Sequence, residues 1–321
     1  MAAKSAVIGA GAMGHGIGEV LARACPEVWL YDPDAATLER AVALIRESVE
    51  RLRRHGLIAA EVARATPARV RTTTDLERAA AGAGFVIEAA PEDLPTKQAL
   101  FAELDRLAPP DAVLATNSSS FTLAEVSERV DGPRRRLLVG SHFFLPAQIV
   151  PLVEVSRAAA TADEAFEAAY ALWERCGKTP IRVRRDVSGY VANRLQRALM
   201  REALAQVAEG SASAEDIDRA VRFGFGLRFM VRGPLAQRDV AGLGLASRIQ
   251  TNPDERERLD AGRRHLLDTA AAGHLGLDTG RGLLDWHGRD PGEVRRTGAE
   301  ALARAAATLI ESECAEGTDS T

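Results

Sequence analysis

Cysteine is scarce in this chain of 321 residues. Cys25, Cys176 and Cys314 form an odd, widely separated set. That excludes a disulfide framework and the paired spacings of a structural metal site, so no metal is expected. Each reads as a free thiol, as in a reducing cytoplasm. Long apolar runs are also missing, and nothing approaches the ~20 residues of a membrane span. The opening residues enter a strand pattern at once, leaving no room for a cleavable leader. Neither sign of charge dominates. Lys and Arg number 41 against 45 Asp and Glu, a net charge of −4, which offers nucleic acid no basic footprint. Internal repeats and low-complexity linkers are absent too.

What is present is ordinary in bulk and specific in one stretch. A hydrophobic share of 46% and a charged share of 27% suit a globular protein, and the length suits two domains or one large one. Residues 5–32 stand out. An apolar run at Ala6–Ile8 reads as a buried strand. Gly9-Ala10-Gly11-Ala12-Met13-Gly14 turns it into an Ala-rich helix, and Val28–Tyr31 is a second strand ending on Asp32. Gly9 permits the turn, Gly11 admits a pyrophosphate, and Gly14 lets helix and strand pack closely. The free N–H groups and positive dipole end of the helix then receive the phosphate charge. Asp32 follows at roughly the 20-residue distance of the dinucleotide fingerprint. Its carboxylate accepts a ribose 2′-hydroxyl and repels a 2′-phosphate, and no arginine comes directly after it (Pro33-Asp34 follow), so NAD is favoured over NADP.

Further along, Ala35–Leu57 is too long a helical pattern for a minimal crossover. It predicts a helical hairpin over about residues 35–65, carrying Arg51, Arg53 and Arg54. Strands are expected at Val70–Thr72, Phe85–Glu88, Val113–Ala115, Leu137–Gly140, Val150–Val155 and Pro180–Val183, with helices near Leu76–Ala81, Pro95–Leu107 and Thr122–Val130. Ligands of doubly wound sheets bind at the carboxyl ends of the strands, which makes Glu92 and Lys97 candidates for the nicotinamide side. Among Thr116-Asn117-Ser118-Ser119-Ser120, one hydroxyl caps the next helix and others are free for a substrate. Glu154 lies between Val153 and Val155, where a carboxylate is costly unless paired; His142 offers the pair. From Ser188 the alternation of strand and helix stops. Helices are expected at Gly189–Glu209, Ala214–Phe223, Pro234–Ile249, Arg256–Ala272 and Glu293–Ser312. The predicted fold is α/β, a Rossmann-type doubly wound sheet over residues 1–186 followed by an all-helical domain over 187–313. Residues 314–321 read as a disordered tail.

In order along nearly the whole chain, VIGAGAMGHGI, VWLYDPD, VIEAAPEDLPTKQALFAELD, TNSSS, GSHFFLPAQIVPLVEV, SGYVANRL and TGRGLLDW resemble the L-3-hydroxyacyl-CoA dehydrogenase family. The resemblance implies an NAD-dependent oxidoreductase, a homodimer joined through its helical domain, acting on a small molecule. It implies His142 as general base with Glu154 as its partner, and Ser119 and Asn193 around the reacting oxygen. Gly9, Gly11, Ala12, Met13, Gly14, Asp32, Ala90, Glu92, Lys97 and Asn117 are the implied cofactor positions. The hairpin at Arg54 resembles the segment that grips CoA.

Two departures stand out. Leu145 replaces the asparagine of the family's His-Phe-Phe-Asn-Pro, losing a polar contact near the cofactor. The approach to TGRGLLDW at His274–Thr279 lacks a lysine. Val150-Pro151-Leu152 and Gly226-Leu227-Arg228-Phe229 look closer to the gulonate and carnitine dehydrogenase relatives, which oxidise free 3-hydroxy acids. Arg228 is then a candidate for a substrate carboxylate, since a guanidinium binds one bidentately. A non-catalytic NAD-binding protein is a third reading, but it needs no His142–Glu154 pair.

Overall fold

The computed structural model describes residues 4–130, 132–243, 267–294, 296, 297 and 308. The chain divides into two compact units, Met1–Ala198 and Leu199–Thr321.

In the first unit the order is β1 (Lys4–Ile8), α1 (Gly14–Ala24), β2 (Glu27–Tyr31), α2 (Ala35–Arg54), α3 (Ala60–Arg69), β3 (Val70–Thr73), α4 (Leu76–Ala80) and β4 (Phe85–Glu88). Then come α5 (Leu94–Leu107), β5 (Val113–Thr116), α6 (Leu123–Val126), α7 (Gly132–Arg135), β6 (Leu138–Phe143), β7 (Leu152–Ser156), α8 (Asp163–Arg175) and β8 (Thr179–Val183). The strands form one sheet of order β3-β2-β1-β4-β5-β6-β7-β8, parallel from β3 to β6. The reversal of strand order beside β1 is where a doubly wound sheet opens its ligand crevice.

Side chains alternate across the sheet with the period of two that strands impose. Val7, Phe85, Ile87, Val113, Ala115 and Val139 pack on one face with Ile17, Val20 and Leu21 of α1 and Phe166 and Trp173 of α8. Ala6, Ile8, Val86, Leu114 and Leu138 pack on the other with Phe101 and Leu104 of α5 and Leu123 of α6. The hairpin α2–α3 closes a small cluster of its own around Ile45, Val49 and Ala63. Helix starts follow the chemistry of the chain. Asp34, Asp75, Asp93 and Thr122 accept from the first free N–H groups of α2, α4, α5 and α6, as N-cap oxygens do.

Two features depart from the expected elements. β7 runs antiparallel to β6. The intervening Phe144–Pro151 is shorter than the dozen or more residues that a parallel crossover needs, so the chain folds back as a hairpin. α8 is an additional helix and supplies the crossover to β8, which pairs parallel to β7. Its buried Ala165, Phe166, Ala169, Leu172 and Trp173 have helical spacing.

α9 (Ala192–Ala208) follows, and the division between the compact units falls inside it. α10 (Ala214–Ala220), a π-helical turn at Val221–Phe225, α11 (Gly226–Val231) and α12 (Pro234–Ala241) come next. The expected helix at Ala214–Phe223 thus breaks, with Gly224 leaving helical backbone. The helix expected at Pro234–Ile249 stops at Ala241, where Gly242 leaves helical backbone with φ of 87°. Residues 244–249, most of the helices expected at Arg256–Ala272 and Glu293–Ser312, Cys314 and the tail lie outside the described residues. No described helix is long and apolar enough to cross a membrane.

Candidate active site

The antiparallel register places His142 of β6 directly opposite Glu154 of β7. Both side chains are buried, at 2% and 0% exposure, so each needs a partner. They supply one another: His142 Nδ1 lies 2.8 Å from Glu154 Oε2. The second oxygen, Oε1, accepts from the backbone N–H groups of Val191 and Ala192, both at 2.9 Å. These donors stand at the start of α9, where free N–H groups and the helix dipole favour a carboxylate. On the far side of the ring, His142 Nε2 lies 2.9 Å from Ser119 Oγ. The result is a continuous chain: helix N-terminus, carboxylate, imidazole, hydroxyl.

Aromatic rings fix the imidazole plane. Tyr190 stacks on it at 4.6 Å and 13°, and Phe144 meets it edge-on at 4.8 Å and 73°. Burial raises the Tyr190 phenol well above its ordinary pKa, so it stays neutral. Its backbone has φ of 46°, uncommon for a bulky residue. It follows Gly189 at φ 77°, whose N–H donates to Ser119 O at 3.0 Å. The serine loop therefore anchors the turn that presents the stacking ring. Gly140 makes room for it, since a Cβ there would stand 2.6 Å from the Tyr190 hydroxyl.

A carboxylate in the loop after β4 holds Ser119 in place. Glu92 Oε1 accepts from Ser118 Oγ at 2.7 Å, Ser119 N at 2.9 Å and Ser120 N at 2.8 Å. Burial opposes its charge, but the hydrogen bonds from Ser118 and Ser120 and the Lys97 charge outweigh that and keep its pKa below the usual carboxylate range. Glu88, fully buried, accepts from Lys97 at 2.6 Å, from Ala90 N at 2.7 Å and from Thr116 Oγ1 at 2.7 Å. Its burial pushes the carboxyl pKa up, against the pull of Lys97.

Lys97, expected at the cofactor, instead lies buried between Glu88 and Glu92, 3.1 Å from the latter. The Ala90 N–H faces inward as well. Asn117 Oδ1 accepts from Phe143 N at 2.9 Å, tying β5's end to the strand of His142. Asn193 is half-buried in the first turn of α9, two residues beyond Val191.

The glycine turn has the form that a dinucleotide demands. Gly9 has φ of 101°, and a Cβ there would come 2.6 Å from Ala89 O. A Cβ on Gly14 would collide with Gly9 O at 1.7 Å. At Gly11 a Cβ would meet nothing within 4 Å, and Gly11 and Ala12 are exposed before α1, with Met13 half-buried behind them. No side chain caps α1 and no acidic residue stands in its first turn, so its N-terminus is open to an anion. Asp32, at the end of β2, accepts from Ala10 N and Asp34 N, each at 3.0 Å. These residues fit NAD.

Arg54 ends α2, where Arg51 and Arg53 pair with Glu47 and Glu50. Arg228 is exposed on α11 in the second unit. The sequence reading missed Glu88 and Tyr190. An acid closing an apolar strand, and a ring just after a glycine, were the signals available.

Two family models cover most of the chain. The 3-hydroxyacyl-CoA dehydrogenase NAD binding domain matches residues 4–187, and the C-terminal domain of the same family matches 189–286. The chain belongs to the 3-hydroxyacyl-CoA dehydrogenase family. It is an NAD-dependent oxidoreductase acting on CH–OH groups. Among its relatives, 3-hydroxyadipyl-CoA dehydrogenase of Escherichia coli is 36% identical over 88% of this chain, which spans only 58% of that protein's length. L-carnitine dehydrogenase of Streptomyces griseus is 36% identical over 87% of this chain and 84% of its own. The crystal structure of a 3-hydroxyacyl-CoA dehydrogenase from Archaeoglobus fulgidus aligns with a TM-score of 0.74 at 28% identity, covering 95% of this chain and 98% of that one.

Proposed function

We propose that the chain interconverts a 3-hydroxyacyl-CoA and its 3-ketoacyl-CoA, with His142 as general base. The observation that carries this reading is the chain of contacts Ser119–His142–Glu154. Bound across Gly9, Gly11, Ala12, Met13, Gly14 and Asp32, NAD supplies the hydride acceptor. The protein's part is the proton. A substrate hydroxyl placed beside Ser119 Oγ and Asn193 hands its proton to His142 Nε2. Glu154 fixes the tautomer that leaves Nε2 free, and its charge faces the imidazolium as it forms. Ser119 and Asn193 hold the oxygen as its charge changes. Lys97 acts at one remove, through Glu92 and the serine loop.

A second reading, a dehydrogenase of free 3-hydroxy acids, is favoured by Leu145. It is 62% exposed where the family motif has asparagine, and the L-carnitine dehydrogenase relative acts on such a substrate. The hairpin supports the thioester, although Arg51 and Arg53 already have carboxylate partners. NAD reduction with 3-hydroxybutyryl-CoA against free 3-hydroxybutyrate, gulonate and carnitine separates the two. Faster turnover of any free acid overturns the thioester reading.

A homodimer through the helical region is part of the proposal. α9 has no buried residue, and Leu195, Leu199, Leu204 and Val207 are exposed on it. The change of family model between residues 187 and 189 supports a functional division there. The free, buried thiols of Cys25 and Cys176 support a cytoplasmic setting.

A further inference from the structure

The turn between the strands of His142 and Glu154 has a backbone account of its own. Within Phe144–Pro151, the N–H groups of Ile149 and Val150 both turn back to Pro146 O at 3.0 Å. The carbonyls of Ala147, Gln148 and Val150 lie outside the strand ladder and need donors from elsewhere. Two basic side chains supply them. Lys178 Nζ donates to Ala147 O and, at 2.8 Å, to Val150 O. Arg23 donates to Gln148 O at 2.9 Å and to Glu19 at 2.8 Å.

Neither cation belongs to the turn. Arg23 stands in the last turn of α1, the helix that opens at the glycine turn. Lys178 lies between α8 and β8, and its ammonium sits 5.9 Å from the ring centroid of Phe143, the neighbour of His142. The turn also rests on α1 directly: a Cβ on Gly16 would come 2.5 Å from Gln148 Oε1. Such a cluster is a poor way to gain stability. Lys178 and Glu19 are buried, and Glu19 Oε2 and Arg23 Nε have no hydrogen-bond partner. Buried charge of this kind is costly, and apolar side chains often serve stability as well or better. A positional role accounts for its presence.

We propose that Arg23 and Lys178 are positioning residues that clasp the His142–Glu154 hairpin onto the dinucleotide-binding helix, holding the proton acceptor in register with the cofactor. The proposal rests on the reading of His142 as base. The clasp is pH-sensitive. Burial draws the Lys178 pKa down to about 8, with Arg23 on α1 adding to the fall and Glu19 on α1 and Cys176 after α8 opposing it. Below that pH both cations are charged and grip fully. Above it the Lys178 amine is neutral, and its bonds to the carbonyls lose the strength that charge gives them.

The test uses Lys178→Met, Lys178→Arg and Arg23→Lys in the full chain. Hydrogen–deuterium exchange of residues 144–151 reads the clasp without any turnover; Lys178→Met raises that exchange. With whichever substrate the wild type oxidises, kcat of Lys178→Met falls about tenfold or more, as a misplaced group costs, while KM for NAD stays within about twofold. The wild type is expected to decline in kcat near pH 8; Lys178→Arg restores most of kcat and shows no such decline. Unchanged exchange in Lys178→Met, or an alkaline decline that persists in Lys178→Arg, overturns the proposal. If Lys178→Met does not fold, Lys178→Arg and Arg23→Lys decide on the same readouts. A wild type inactive on every substrate tested would defeat the proposed function, and exchange would still decide the clasp.

Discussion

His142 and Glu154 face each other across β6 and β7, 2.8 Å apart and shut off from solvent. An antiparallel pair twelve residues apart reaches this geometry because Phe144–Pro151 is a hairpin connection and not a crossover. The carboxylate is held in turn by the first N–H groups of α9, so β6, β7 and α9 converge on a single imidazole.

Glu154→Gln removes the charge but keeps the shape. It lowers kcat by less than His142→Gln does, because the base survives while its tautomer and imidazolium lose support. Steady-state kinetics of both variants check the order. An equal or larger loss in Glu154→Gln would contradict that order.

On the proposed assignment, the Asp32 carboxylate governs cofactor choice. Asp32→Ala weakens NAD binding and narrows the preference for NAD over NADP, since a 2′-phosphate is no longer repelled. Titration of both cofactors measures this. A wild type that prefers NADP would refute the assignment.

Glu92 ties the serine loop together, and its pKa lies below the usual carboxylate range. A depressed carboxylate stabilises the fold above its unfolded pKa, and the contribution is lost as pH falls through the folded value. The wild type therefore loses stability on acidification that Glu92→Gln has already lost. Plotted against pH, the Tm difference between the two closes as the pH drops below the carboxylate range. A difference constant from neutral to acid pH contradicts this.

Arg54 and Arg228 separate the two substrate readings. For a thioester, Arg54→Ala raises KM modestly, by the ~0.2–1 kcal/mol of an exposed contact, and Arg228→Leu changes little. For a free acid, Arg228→Leu cuts kcat/KM by roughly tenfold or more, the scale of a lost bidentate contact.

Much of this was legible in the chain. The glycine turn and Asp32 were readable because local backbone demands fix residue type there. The His142–Glu154 pair was readable because a carboxylate between two valines requires a partner. Less visible were contacts made at a distance. Lys97 looks like a crevice lysine until Glu88, nine residues back, is seen to bury it. Tyr190 was hidden because its role comes from a left-handed backbone and a stack on a ring 48 residues earlier in the chain. Arg23 and Lys178 carry no motif, and only the folded turn shows which carbonyls they satisfy.

The central claim is that His142 takes the substrate proton. Its most direct test is kcat for NAD reduction by His142→Gln beside the wild type, with NAD affinity measured on the same samples. The account predicts a fall in kcat of roughly 10²–10⁴ with NAD affinity nearly unchanged; near-normal turnover would contradict it.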